Sequence, residues 1–230
     1  GHTWLTRLRQ TNPDTRILYC TTQPPTPIPP SPQLHASAWL VEQLREDPVL
    51  GPGTEAMLKS LRDRGLRTAS PPPQNAPILL HPGSGSRQQA AASNPNHSSN
   101  TKNWPTAKYA QLAAQLRARN LPVEFLIGPV EREHMPPTDL ALLAREGPVI
   151  EPPDYTELAK KLATARALIT NDTGPAHLAA ALAIPTITLF GPTNPATWQP
   201  VGPKVHTLLN PQLADLPIGD VLATTLRAIG

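Results

Sequence analysis

The residues of this chain that could bind and act on a ligand sit in short loops rich in Gly, Ser, Thr and Pro. In HPGSGS, residues 81–86, the glycines let the backbone come close to a ligand. Ser84 and Ser86, on either side of Gly85, offer hydroxyls and amides to phosphate oxygens, although an ordinary Gly-Ser turn has the same composition. In TNDTGPAHLAAAL, residues 170–182, Asp172 and Thr173 precede Gly174, and Pro175 starts a helix. The free amides and partial positive charge of such a helix start suit a diphosphate, and His177 in the first turn can face the same anion. Equally, Asp172 or Thr173 can be a plain helix cap, and His177 a surface or half-buried histidine. FGPTNP, residues 190–195, is either a plain turn or a third ligand loop through Thr193 and Asn194. Lys102, just before Asn103-Trp104-Pro105, would be a point charge for a phosphate, though most lysines are simply solvated. Glu131, a little beyond Gly128, can accept ribose hydroxyls or face water.

Other chemistries find no support. His35, His81, His97, His134 and His177 have no second ligand at i+4, and the single Cys20 excludes a Cys-based metal site and an intrachain disulfide. No metal and no cofactor is expected. There is no G-x-G-x-x-G after a strand, no Walker A motif and no G-x-S-x-G. With 20 basic against 17 acidic residues, net +3, and no Lys/Arg cluster, a nucleic-acid partner is not expected.

The 230 residues leave room for one large domain or two modest ones, and 39% apolar residues suffice for a core. Composition divides the chain near residue 76, because many of the 31 prolines crowd the first third, notably in residues 24–32 and 71–73. Such runs read as extended linkers. That third holds one expected strand, RILYC at 16–20, and helices at 36–45 and 54–64, the second ending at Gly65 as a C-cap. From residue 76 the pattern alternates: strands at 77–81, 123–127, 149–150, 167–170, 186–190 and 205–208, and helices at 106–119, 139–145, 155–166, 175–183 and 218–229. Pro105 fits N1 of its helix, and Asp154 with Glu157 has capping-box spacing. The polar, aperiodic stretch 87–101 reads as a mobile surface loop. The alternation predicts an α/β, doubly wound parallel sheet, whose ligands bind at the carboxyl ends of the strands. No apolar run approaches the ~18 residues of a membrane span, and the N-terminus lacks a signal-peptide core, so a soluble cytoplasmic protein is expected.

Four blocks together resemble the C-terminal half of glycosyltransferase family 9, the ADP-heptose:lipopolysaccharide heptosyltransferases. They are ILLHPGSGS (78–86), KNWP (102–105), FLIGPVERE (125–133) and NDTGPAHLAAALAIPTITLFGPTNP (171–195). The resemblance implies a GT-B fold, with residues 76–230 as the Rossmann-like nucleotide-sugar domain and 1–75 as an incomplete, acceptor-side N-terminal domain with its linker. It implies an ADP-linked sugar donor, an inverting transfer to a lipopolysaccharide-type or other glycan acceptor, and peripheral contact with the inner membrane face through that acceptor. Carried over, the loop of Ser84, Gly85 and Ser86, the pair Thr173 and Gly174, and Lys102 hold the diphosphate. Glu131 meets the ribose, Asp172 the sugar or other polar groups of the donor, and His177 sits beside the phosphates.

Two departures stand out. Residues 87–101 intervene between the Gly-Ser loop and Lys102, which nearly adjoin in the family. The family's N-terminal Gly-Asp loop, whose aspartate acts as general base, has no counterpart, since the only Gly-Asp here is Gly219-Asp220; no catalytic residue is assigned. The rival readings are a non-catalytic nucleotide-sugar-binding remnant and a GT-B-like sugar-nucleotide epimerase.

Overall fold

The computed structural model describes residues 35–45, 51–66, 72–84 and 102–230. The expected strand at 16–20, the Pro-rich run at 24–32, Gly85, Ser86 and the stretch 87–101 lie outside the described residues. Contacts divide the chain into two units, residues 1–54 and 55–230. In the first, helix α1 (Ala36–Leu44) is capped by His35, whose ring accepts a hydrogen bond from the Ser37 amide at 3.2 Å. Helix α2 (Gly51–Asp63) begins there and runs into the second unit. It stops where Gly65 takes φ +70° and donates its amide to the Leu61 carbonyl at 3.0 Å, the left-handed ending expected of that glycine.

The second unit is built on six parallel strands: β1 (Ile78–His81), β2 (Val123–Leu126), β3 (Val149–Ile150), β4 (Ala167–Asn171), β5 (Thr186–Phe190) and β6 (Val205–Leu209). Their order in the sheet is β3-β2-β1-β4-β5-β6, with Ile78 paired to Val123 on one side and to Ala167 on the other. Every residue of β1, β4 and β5 is buried, which is why these strands read as near-continuous apolar runs: a parallel sheet covered on both faces has no polar side. Side-chain alternation then sorts the core into two layers. Ile78, Leu80, Phe125, Ile169 and Leu189 face helices α3 (Thr106–Arg117), α5 (Pro137–Glu146) and α9 (Ile218–Ile229). Leu79, Leu126 and Leu168 face α6 (Tyr155–Ala163) and α7 (Gly174–Ala181).

Local differences from expectation have local causes. Pro105 is the N-cap of α3 instead of N1; its extended backbone (φ −56°, ψ 134°) turns its carbonyl onto the amides of Lys108 and Tyr109. Asp154 caps α6 by accepting the Glu157 amide at 2.9 Å, but the Glu157 carboxylate pairs with Lys160 at 2.7 Å, so only half of the box forms. Helix α7 ends two residues early because Ala183 turns left-handed (φ 57°) ahead of Pro185. Helices α4 (Pro129–His134) and α8 (Pro195–Trp198) and a 3-10 turn at Leu213–Asp215 escape the sequence reading, being too short to show a period.

Candidate functional site

The strand order reverses between β1 and β4, and the crevice outside their carboxyl ends is where an open α/β sheet binds ligands. The β1 loop at 81–84 and the β4 loop at 171–174 face each other there. Asn171 ties them together. Its Nδ2 donates to the carbonyls of Pro82 (3.0 Å) and Gly83 (2.9 Å). Its Oδ1 accepts the Trp104 amide (3.0 Å) and the Tyr109 hydroxyl (3.1 Å). All four hydrogen-bonding positions of a fully buried amide are used. Trp104 is fixed further by an edge-on contact with Tyr109, ring centroids 5.0 Å apart, and by its Nε1 donating to the Leu216 carbonyl. Burial pushes the Tyr109 hydroxyl well above its ordinary pKa, so it remains a donor.

Above this clamp a cavity of about 330 Å³ opens at the ends of β1, β2 and β4. Ser84, Glu131, Thr173 and Gly174 all line it. The Ser84 hydroxyl is buried and has no hydrogen-bond partner among the described residues. Glu131 is buried, not turned to water: from the first turn of α4 its Oε2 accepts the Gly128 amide at 3.0 Å. Thr173 occupies the N-cap of α7 but makes no side-chain cap; its hydroxyl lies 3.0 Å from that of Thr170. The plain-cap reading of Thr173 therefore does not describe it. Gly174 is exposed, and a Cβ there would meet nothing within 4 Å.

Three other candidates do not line this cavity: Asp172 is half-buried beside Thr173, His177 is exposed one turn into α7, and Lys102 is exposed ahead of α3. A second cavity, about 460 Å³, opens on the other side of Glu131, between Gly83, Trp104, Thr106 and His134. In the third loop the Thr193 Oγ1 is buried without a partner among the described residues, while Asn194 caps α8 by accepting the Ala196 amide at 2.9 Å.

Two residues of the site were not legible as such. Asn171 stood inside a motif, yet its partners are 62 to 89 positions away. His81, at the end of β1, is buried in the cavity wall with Nδ1 2.8 Å from the Leu126 carbonyl. Burial pulls its pKa below the ordinary range, against the opposing effects of that hydrogen bond and of the Glu131 charge. Among the described residues, no three His, Cys, Asp or Glu side chains gather as a metal site, and no helix is long and apolar enough to cross a membrane.

Residues 74–220 match the family model of glycosyltransferase family 9 (heptosyltransferase). Lipopolysaccharide heptosyltransferase 1 of Pseudomonas aeruginosa is 43% identical over 96 residues, 41% of this chain and 26% of the relative. Two solved structures share the fold. E. coli heptosyltransferase WaaC with ADP superposes with TM-score 0.52 at 21% identity, covering 68% of this chain and 46% of that one. E. coli ADP-heptose LPS heptosyltransferase II gives TM-score 0.54 at 18% identity, covering 85% and 62%. The chain thus spans about a quarter of that curated relative and between 46% and 62% of these two structures.

Proposed function

This chain belongs to glycosyltransferase family 9, and from that premise we propose that residues 76–230 bind an ADP-linked sugar and present it for transfer to a lipopolysaccharide-type or other glycan acceptor. The observation that carries this reading is the Ser84 hydroxyl, buried without a partner among the described residues in a cavity at the switch point of the sheet. A buried hydroxyl left unpaired costs about 1–3 kcal/mol, which a ligand oxygen placed there recovers. The ADP named with the similar E. coli structure agrees with that ligand class.

In this reading Ser84, Gly85, Ser86, Thr173, Gly174 and Lys102 hold the diphosphate and His177 lies beside it. Glu131 receives the ribose, and Asp172 meets the sugar. Gly-Ser amides, the uncapped start of α7 and the Lys102 ammonium stabilise the charge that develops on the departing diphosphate. A base for the acceptor hydroxyl is assigned to none of the described residues. Residues 1–75 are proposed to belong to the acceptor side, and the acceptor would bring the protein to the cytoplasmic face of the membrane.

Calorimetric titration with ADP, with and without EDTA, tests the reading. Binding that survives chelation and weakens at least tenfold in Ser84→Ala is expected. Absence of ADP binding, or its loss on chelation, refutes it. Asp172→Asn should weaken the sugar nucleotide more than ADP; equal losses would mean that Asp172 only organises its loop.

A further inference from the structure

We infer that His81 is a neutral hydrogen-bond acceptor for a hydroxyl or amino group of the donor's nucleoside, and not a ligand of its phosphates. The inference rests on the nucleotide reading of the cavity and adds a specificity residue to it. His81 is only 3% exposed, yet it is part of the cavity wall together with Leu126, Ile127 and Leu158. Its Nδ1 lies 2.8 Å from the Leu126 carbonyl, and a carbonyl oxygen can only accept, so Nδ1 carries the proton. In the neutral ring, Nε2 then holds a lone pair and nothing to donate. Nε2 has no partner among the described residues, and burial in this wall disfavours a charged imidazolium, against the opposing charge of Glu131 on the same wall.

The oxygens of an ionised diphosphate are acceptors only, so they cannot bond to this nitrogen. An adenine nucleoside offers three groups that can: the two ribose hydroxyls and the exocyclic amine. An imidazole locked in one tautomer thus selects a donor group and fixes where along the ligand it falls. This is a recognition role distinct from the phosphate contacts assigned to Ser84 and the α7 start.

The experiment compares ADP with 2′-deoxy-ADP, 3′-deoxy-ADP, inosine diphosphate and pyrophosphate by calorimetry on the full chain, at mildly alkaline pH. The variant is His81→Asn, which keeps an N–H near the Nδ1 position for the Leu126 carbonyl and removes the acceptor at Nε2. One of the three nucleotide analogues should bind the wild type at least tenfold more weakly than ADP. His81→Asn should lose a similar factor for ADP, leave pyrophosphate unchanged, and bind ADP and that analogue alike. The inference is overturned if all three analogues match ADP on the wild type, a result that needs no variant. It is equally overturned if His81→Asn weakens pyrophosphate as much as ADP, or leaves the analogue's deficit in place. A wild type that binds neither ADP nor pyrophosphate removes the nucleotide reading itself, and this inference with it.

Discussion

Gly83 leaves the space that Glu131 fills: a Cβ at position 83 would stand 2.0 Å from Oε1 and 2.3 Å from Cγ of the glutamate. The missing side chain on the β1 loop is what lets a carboxylate from α4 lie buried between the two cavities, each of which it lines. Gly83→Ala must therefore expel Glu131 from its place on the Gly128 amide, at a cost of about 1.5–3 kcal/mol for a bond to a charged group. The thermal midpoint should fall and ADP affinity should drop at least tenfold. Glu131→Ala gives up the same bond and removes the colliding atoms, so adding Gly83→Ala to it should cost little further stability, and neither variant should recover affinity. A Gly83→Ala protein that melts and binds ADP like the wild type would contradict this packing.

Asn171→Ala strips four buried groups of their partner at once: two carbonyls of the β1 loop, the Trp104 amide and the Tyr109 hydroxyl. The expected loss is about 2–4 kcal/mol, because a buried network left half-satisfied costs more than one bond. Denaturant unfolding measures it; a loss below about 1 kcal/mol would mean that the loops hold each other without this amide.

Gly174→Val separates binding from folding. A Cβ at 174 has open space around it, so the melting temperature should change little. A branched side chain beside the first amides of α7 should nonetheless keep phosphate away and raise the ADP Kd at least tenfold, or about 1.4 kcal/mol. An unchanged Kd would place the diphosphate elsewhere.

His177 is exposed on the first turn of α7, the side from which the diphosphate departs in the proposed reaction. An inverting displacement needs its base on the opposite face of the sugar, so His177 should act as a donor to phosphate and not as the base. His177→Gln, which keeps an N–H donor, should retain most ADP affinity, while His177→Ala should lower it. Calorimetry on both variants decides; equal losses would point to the ring itself.

His81 should also make stability depend on pH. Its folded-state pKa is lowered from 6.5 by burial, so the unfolded chain takes up a proton first as the pH falls. The contribution is complete above the unfolded value and is lost as pH drops from there through the folded value. Melting curves between about pH 8 and 5 should fall more steeply for the wild type than for His81→Gln, which lacks the titrating ring. Parallel slopes would mean that the ring charges without penalty in the folded state.

The alternation of strands and helices from residue 76 onward could be read from the chain alone, because a parallel sheet buried on both faces demands apolar runs such as 78–80 and 186–190. Gly65 and Asp154 were legible for a similar reason: a left-handed turn and an uncapped helix start each call for particular residue types within a few positions. Loops of small residues at the strand ends marked where a ligand site would lie. What the tertiary structure decided is which side chains meet. Glu131, bland in the sequence, is buried against Gly83; Thr173 turns its hydroxyl to Thr170 instead of capping α7; Asn171 joins segments 62 to 89 residues apart; and His81 stands in the cavity wall with one nitrogen committed to Leu126. Local propensity acts over a few residues, whereas burial and hydrogen bonding at the crevice depend on strand order. That order places β1 beside β4, although β2, β3 and the helices between them separate the two along the chain.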